Sequence, residues 1–201
     1  MDSSQSLLFD STFAESNETL DEINAEMLQR AKALPQYADR IFIFGTGAAV
    51  GAKVAVVGES PGPPDVDSGQ PFMGPAGQML DRILAAINLK RVDCYLTNVV
   101  KIISTGDELT PEVTNFFTPY LHRELAAVRP RVVIAFGNTP TRALLRTKKP
   151  ISQMRGEFHD YNRAKLMPTF NPAYLLRDPT KKREVWEDMK KVRAFLSTPS
   201  S

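Results

Sequence analysis

Cysteine is almost missing from this chain, with a single residue, Cys94, in 201. One thiol excludes a disulfide within the chain and any metal or iron–sulfur site built on four cysteines of one chain. It also makes a reducing, intracellular home the default. Long apolar runs are absent too. No stretch approaches the roughly 20 apolar residues that span a bilayer, so no membrane partner is expected. The opening MDSSQSLLFDSTFAES is acidic and lacks the basic start and apolar middle of a secretory signal. Histidine occurs only as His122 and His159. A net charge of +2 hides an uneven distribution: residues 120–201 carry +10 and residues 1–119 carry −8. A basic half can neutralise phosphates and release counterions, which favours nucleic acid. Taken alone, such a surplus equally describes a solvated face.

What is present fits one domain. The hydrophobic fraction of 42% is ordinary for a globular protein, and the length suits one sizeable core. Residues 1–17 are polar and without periodicity, and are expected to be a disordered acidic tail. Residues 18–197 are expected to form the domain. Helical spacing of apolar residues predicts helices over 18–34, 77–87, 112–128, 139–145 and 184–196. Apolar runs at 53–57, 94–100, 131–136 and 165–170 predict strands. The first of these reads as buried on both faces, and Pro168 puts the last at an edge or a strand end. Alternating strands and helices imply an α/β fold, a three-layer α/β/α sandwich on a central, mostly parallel four-stranded sheet.

Ligands of such sheets sit beyond the carboxyl ends of the strands. Here those ends are Gly58-Glu59-Ser60-Pro61-Gly62, Thr97-Asn98, Gly137-Asn138 and Asn171-Pro172, and they should converge on one cleft. Gly58 and Gly62 let the backbone approach a ligand, and Pro61 stiffens the turn. Glu59 is placed to engage a water or a developing cation. Phe72 offers a flat face to a base, or else is a core aromatic.

Five segments in this order, Gly58 to Gly62, Gly69 to Gly77, Leu96 to Lys101, Arg155-Gly156 and Asn171 to Arg177, resemble the motifs of the uracil-DNA glycosylase superfamily, in particular its family 4 type. The resemblance covers about residues 40–195 and implies a monofunctional enzyme of base excision repair. Such an enzyme hydrolyses the bond between uracil and deoxyribose with water as nucleophile. By that resemblance, Phe72 stacks the extruded base, Asn98 reads its polar edge, and the backbone around Gly58 and Ser60 adds hydrogen bonds. Glu59 positions water or stabilises the cation, and Asn171 donates to uracil O2 as charge builds there. Flipping the base out costs roughly a few kcal/mol, and Tyr174, Leu175 and Leu176 are candidates for the wedge that fills the gap. Pro61, Gly62, Lys101, Arg155, Pro172, Tyr174, Leu175 and Arg177 are expected to touch DNA, with Lys181, Lys182 and Arg183 as further phosphate contacts.

The chain departs from that family at two places. Family 4 members hold an iron–sulfur cluster on four cysteines, and Arg30, Ala33, Ile102 and Phe117 stand at those positions. No cofactor or metal is therefore expected, with apolar packing of Ile102 and Phe117 in the cluster's place. Asn171 stands where family 4 has histidine. This keeps two alternatives open: a catalytically weak uracil- or DNA-binding homologue, or a glycosylase for hypoxanthine or for thymine opposite guanine. Another branch traps uracil covalently through a histidine after the third motif segment. The stretch 102–110 has none, so trapping is not expected. His122 is expected to be structural or exposed, and His159 to lie at the surface or to reach toward the cleft in place of the missing histidine. The partner implied is uracil-containing DNA, and the setting is a monomer in the cytoplasm beside the nucleoid.

Overall fold

The computed structural model describes residues 17–103 and 109–199. The expectations for the acidic tail and for part of the 102–110 stretch therefore lie outside the described residues. The four apolar runs are strands: β2 (Val54–Gly58), β3 (Cys94–Asn98), β4 (Val132–Phe136) and β6 (Ala164–Thr169). β2 pairs with β3 and β4, and β4 with β6, all in parallel. Two short strands that sequence did not suggest, β1 (Thr46–Gly47) and β5 (His159–Tyr161), add antiparallel edges, giving six strands in the order β1-β3-β2-β4-β6-β5. β5 covers β6 only as far as Leu166, so Pro168 occupies an uncovered strand end where its missing N–H is harmless.

Alternation along β2 explains the three layers. Ala55 and Val57 face one side with Tyr95, Val133 and Ala135, under α1 (Leu20–Lys32) and α4 (Pro111–Val128). Val54 and Val56 face the other with Leu96, Ile134 and Met167, under α3 (Gly74–Ala86) and α8 (Lys182–Leu196). The β2 strand is fully buried, as its unbroken apolar run requires. Thr19 starts α1 with a capping box through Glu22, which satisfies amides that the first helical turn leaves unpaired. Three short helices lie in stretches for which the sequence predicted no helix: α2 (Pro63–Ser68), α6 (Ile151–Met154) and α7 (Pro172–Arg177). α5 spans Asn138–Leu145.

His122 is buried on α4, with Nδ1 2.5 Å from the Tyr161 hydroxyl. Burial, reinforced by the Arg146 guanidinium, holds its imidazole down at about 4, against about 6.5 for a free one. The unfolded chain therefore binds a proton below about pH 6.5 that the native state resists. This stability is complete above that pH and is lost as pH falls toward 4, by about 3 kcal/mol in all. A His122→Gln variant should show a flatter dependence of Tm on pH across that window. Parallel profiles for the two proteins would contradict this.

Candidate active site at the carboxyl ends of the strands

Gly58 closes β2 directly opposite Asn98 on β3. A Cβ on Gly58 would lie 2.3 Å from Asn98 Oδ1 and 2.7 Å from Phe72 Cζ. The amide and the aromatic ring therefore meet over bare backbone, and only glycine permits that approach. Asn98 is 3% exposed, yet its Nδ2 makes no hydrogen bond. It is one of three such buried side-chain atoms among the described residues, with Asn24 Oδ1 and Glu124 Oε1. An unpaired buried donor costs roughly 1–3 kcal/mol. Beside a ring face, it marks where a ligand acceptor belongs. Gly58→Ala should therefore abolish measurable binding of free uracil by filling the space between Asn98 and Phe72. Wild-type affinity in a calorimetric titration would rule out this geometry.

Phe72 takes φ +58°, a conformation that bulky side chains rarely adopt. Three groups hold it there. The buried Asp65 carboxylate accepts from Gly62 N at 3.0 Å and Met73 N at 2.6 Å, clamping the first motif turn to the Phe72 turn. Arg91 Nη2 donates to the carbonyls of Phe72 at 2.5 Å and Gly77 at 3.2 Å. Gly77 admits the Phe72 carbonyl, which would lie 1.8 Å from any Cβ at that position. Sequence reading passed over Asp65 and Arg91. The available signal for Asp65 was its position three residues after Gly62, the spacing of a helix cap.

Glu59 follows Gly58 and is half-buried. Its Oε2 accepts from Thr139 Oγ1 at 2.5 Å, a partner on α5 that sequence reading also missed. Val99 N and Val100 N donate to the carbonyls of Gly58 and Glu59, so the backbone is pinned while the Glu59 carboxylate keeps acceptor capacity for a water. Asn171 caps α7: its Oδ1 accepts from Ala173 N at 2.8 Å, and its Nδ2 lies 3.5 Å from the Phe136 carbonyl. Its Cβ would lie 3.5 Å from a Cβ on Gly137, which places it by the turn that leads into α5. Ser60 and Gly62 are half-buried beside these groups.

Several expected DNA contacts need correction. Lys101 is 0% exposed, and its Nζ donates to Thr97 Oγ1, the Asn98 carbonyl and Glu124 Oε2 at 2.6, 2.7 and 2.9 Å. It cannot reach a phosphate. Desolvation pulls its pKa below the usual lysine range, against the pull of Glu124. Arg155 is tied to both Asp188 oxygens and to the Glu184 carbonyl. Leu175 is 1% exposed and belongs to the core beneath α7, so it is no wedge. Pro61 and Pro172 are buried and stiffen their turns. Lys181 pairs with Glu184 at 2.7 Å. Tyr174 is half-buried, while Arg177 and Leu176 are exposed. His159 sits on β5, three strands from β2 in the sheet, with Nε2 3.5 Å from the Met154 carbonyl. It does not approach Glu59.

The four positions aligned with cluster cysteines do not fit an iron–sulfur group. Arg30 is exposed and pairs with Glu26, and Ala33 caps α1. Ile102 and Phe117 are buried in an apolar cluster in which Phe117 packs against Tyr37, Phe42 and Phe116. None of the four supplies a thiolate. Cys94 lies in β3 among apolar neighbours, and burial pushes its thiol up to about 12.

The family model described as "Uracil DNA glycosylase superfamily" matches residues 44–190, a span that contains Gly58, Phe72, Asn98 and Asn171. Type-4 uracil-DNA glycosylase of Thermotoga maritima is 32% identical over 184 residues, covering 89% of this chain and 96% of that protein. That of Archaeoglobus fulgidus is 31% identical over 184 residues, covering 87% and 92%. That of Saccharolobus solfataricus is 32% identical over 158 residues, covering 73% of each chain. The family match over most of the chain and these relatives show that the chain is a member of the uracil DNA glycosylase superfamily.

Proposed function

We propose that this chain is a uracil-DNA glycosylase that hydrolyses the N-glycosidic bond of uracil in DNA as the first step of base excision repair. The observation that carries the reading is the unpaired Asn98 Nδ2, buried beside the Phe72 ring over Gly58. An acceptor such as uracil O4 satisfies that donor, and Oδ1 can accept from N3–H. Cytosine presents a donor at the same place and leaves the amide unpaired, which is how a hydrogen-bonding site discriminates.

The N1–C1′ bond breaks with its electron pair moving onto uracil, water adds to C1′ and loses one proton, and the uracil anion takes up one proton to leave as neutral uracil. Glu59, with one oxygen held by Thr139, orients that water and faces the developing cation. Asn171 Nδ2 is the donor for O2, since its Oδ1 is committed to the helix cap. We read residues 18–197 as one domain acting without a cofactor, as a monomer in the cytoplasm beside the nucleoid. The support for the cofactor reading is a single cysteine, buried in β3, where a cluster would need four.

The test incubates oligonucleotides carrying uracil, hypoxanthine or a G·T mismatch with the protein, then cleaves abasic sites with alkali. Scission confined to uracil is expected. Scission at hypoxanthine or thymine alone contradicts the base assignment, and binding without scission contradicts catalysis. Iron analysis of the purified protein should find no stoichiometric iron, and a brown iron-containing preparation overturns the cofactor reading.

A further inference from the structure

A groove of about 690 Å³ runs between α4 and α5, outside the cluster of Gly58, Phe72 and Asn98. One wall is the face of α4 that carries Thr114 and Thr118. The other is the face of α5 that carries Thr139 and Arg142, continuing to Arg146 and Lys148. Three cations line it and, among the described residues, no carboxylate does. Arg142, Arg146 and Lys148 are exposed. Arg142 and Lys148 make no ion pair among the described residues.

The groove is joined to the candidate active site by one residue. Thr139 lines it, and the Thr139 hydroxyl donates to Glu59. Because α5 starts directly after β4, it leaves the carboxyl end of the sheet and carries Arg142 and Arg146 away from the cleft on the face of Thr139. The rise from Thr139 to Arg146 is roughly 10 Å. One DNA strand carries a charge about every 3.4 Å of axis, so that length matches about three phosphates.

We propose that this groove is a DNA-strand site, which takes the phosphodiester backbone of the uracil-bearing strand as it leaves the cleft. This rests on the glycosylase reading. The exposed Arg142 and Lys148 suit a polyanion, and Thr139, which lines the groove and donates to Glu59, suits a strand whose extruded nucleotide lies against Glu59. It also supplies backbone contacts that buried Lys101 and Asp188-bound Arg155 cannot make.

The test uses the full chain as an Arg142→Gln/Lys148→Gln double variant and, separately, Arg142→Glu. Both positions are exposed, so unchanged melting is expected and serves as a control. Binding of an undamaged single-stranded oligonucleotide is followed against salt. The slope of log K on log salt should become shallower by about 1.4 in the double variant, since each lost phosphate contact removes about 0.7. On a long uracil oligonucleotide KM should rise about tenfold with kcat unchanged. On a short one confined to the cleft KM should not move. Parental salt slope and KM in both variants overturn the proposal, as does an equal rise of KM on short and long substrates. If the parent releases no uracil while the variants still lose salt slope, the groove stands and the glycosylase reading falls. If the parent excises uracil and the variants match it, the reverse holds.

Discussion

Asn98→Ala is expected to cut uracil release by about 10²–10³-fold, while the melting temperature stays the same or rises slightly. The two halves of this result have one cause. Asn98 is 3% exposed and its Nδ2 is unpaired in the ligand-free chain. Deleting the side chain therefore removes a desolvated donor with no partner to lose. The base loses the group that distinguishes its O4 and N3 edge, and a leaving uracil loses a preorganised dipole near its growing charge. Most buried-residue truncations weaken the fold and activity together. A large loss of rate at constant stability is the signature of a group retained for its ligand. Oligonucleotide scission and thermal melting on the same preparation check both halves. A normal rate, or a drop in Tm of the size a core cavity produces, contradicts the assignment.

Lys101→Met is expected to behave in the opposite way, destabilising the fold by about 3–5 kcal/mol because it removes one partner of a fully buried ion pair and leaves Glu124 without it in the core. Lys101 Nζ and Glu124 Oε2 lie 2.9 Å apart with both side chains 0% exposed, and Glu124 Oε1 already lacks a partner. The same ammonium holds the Asn98 carbonyl and Thr97 hydroxyl, so the strand end that carries Asn98 slackens when it goes. Replacing both partners, Lys101→Met with Glu124→Leu, should recover most of the lost stability. A lysine serving as a phosphate contact would show the reverse pattern, a raised KM at constant Tm. Chemical denaturation of the two single variants and the double variant separates these roles through the coupling energy.

These two residues, three apart in one motif, show what the sequence disclosed and what it hid. The four central strands were legible because a strand buried on both faces needs an unbroken apolar run, as in Val54 to Val57 and Val132 to Phe136. β1 and β5 were not, because two or three partly polar residues on a sheet edge carry no such run. α2 and α7 were hidden because each is one short helix beginning at a proline, and periodicity needs more turns than that to register. At the site, Gly58, Phe72 and Asn98 were named from motif order. The clamp that holds Phe72 at positive φ was not, since Asp65 and Arg91 act through backbone groups that no pattern of residue types reveals. Lys101 and Arg155 were placed on DNA because charged residues are exposed by default. Glu124 and Asp188, the partners that bury them, lie 23 and 33 residues further along the chain.

The most direct test is a crystal structure of the chain with free uracil. The ring is expected to stack on Phe72 over Gly58, with O4 and N3 within hydrogen-bond distance of Asn98 and Glu59 facing the N1 side. Uracil bound elsewhere on the sheet, with Asn98 Nδ2 still unpaired at saturating ligand, would contradict the account.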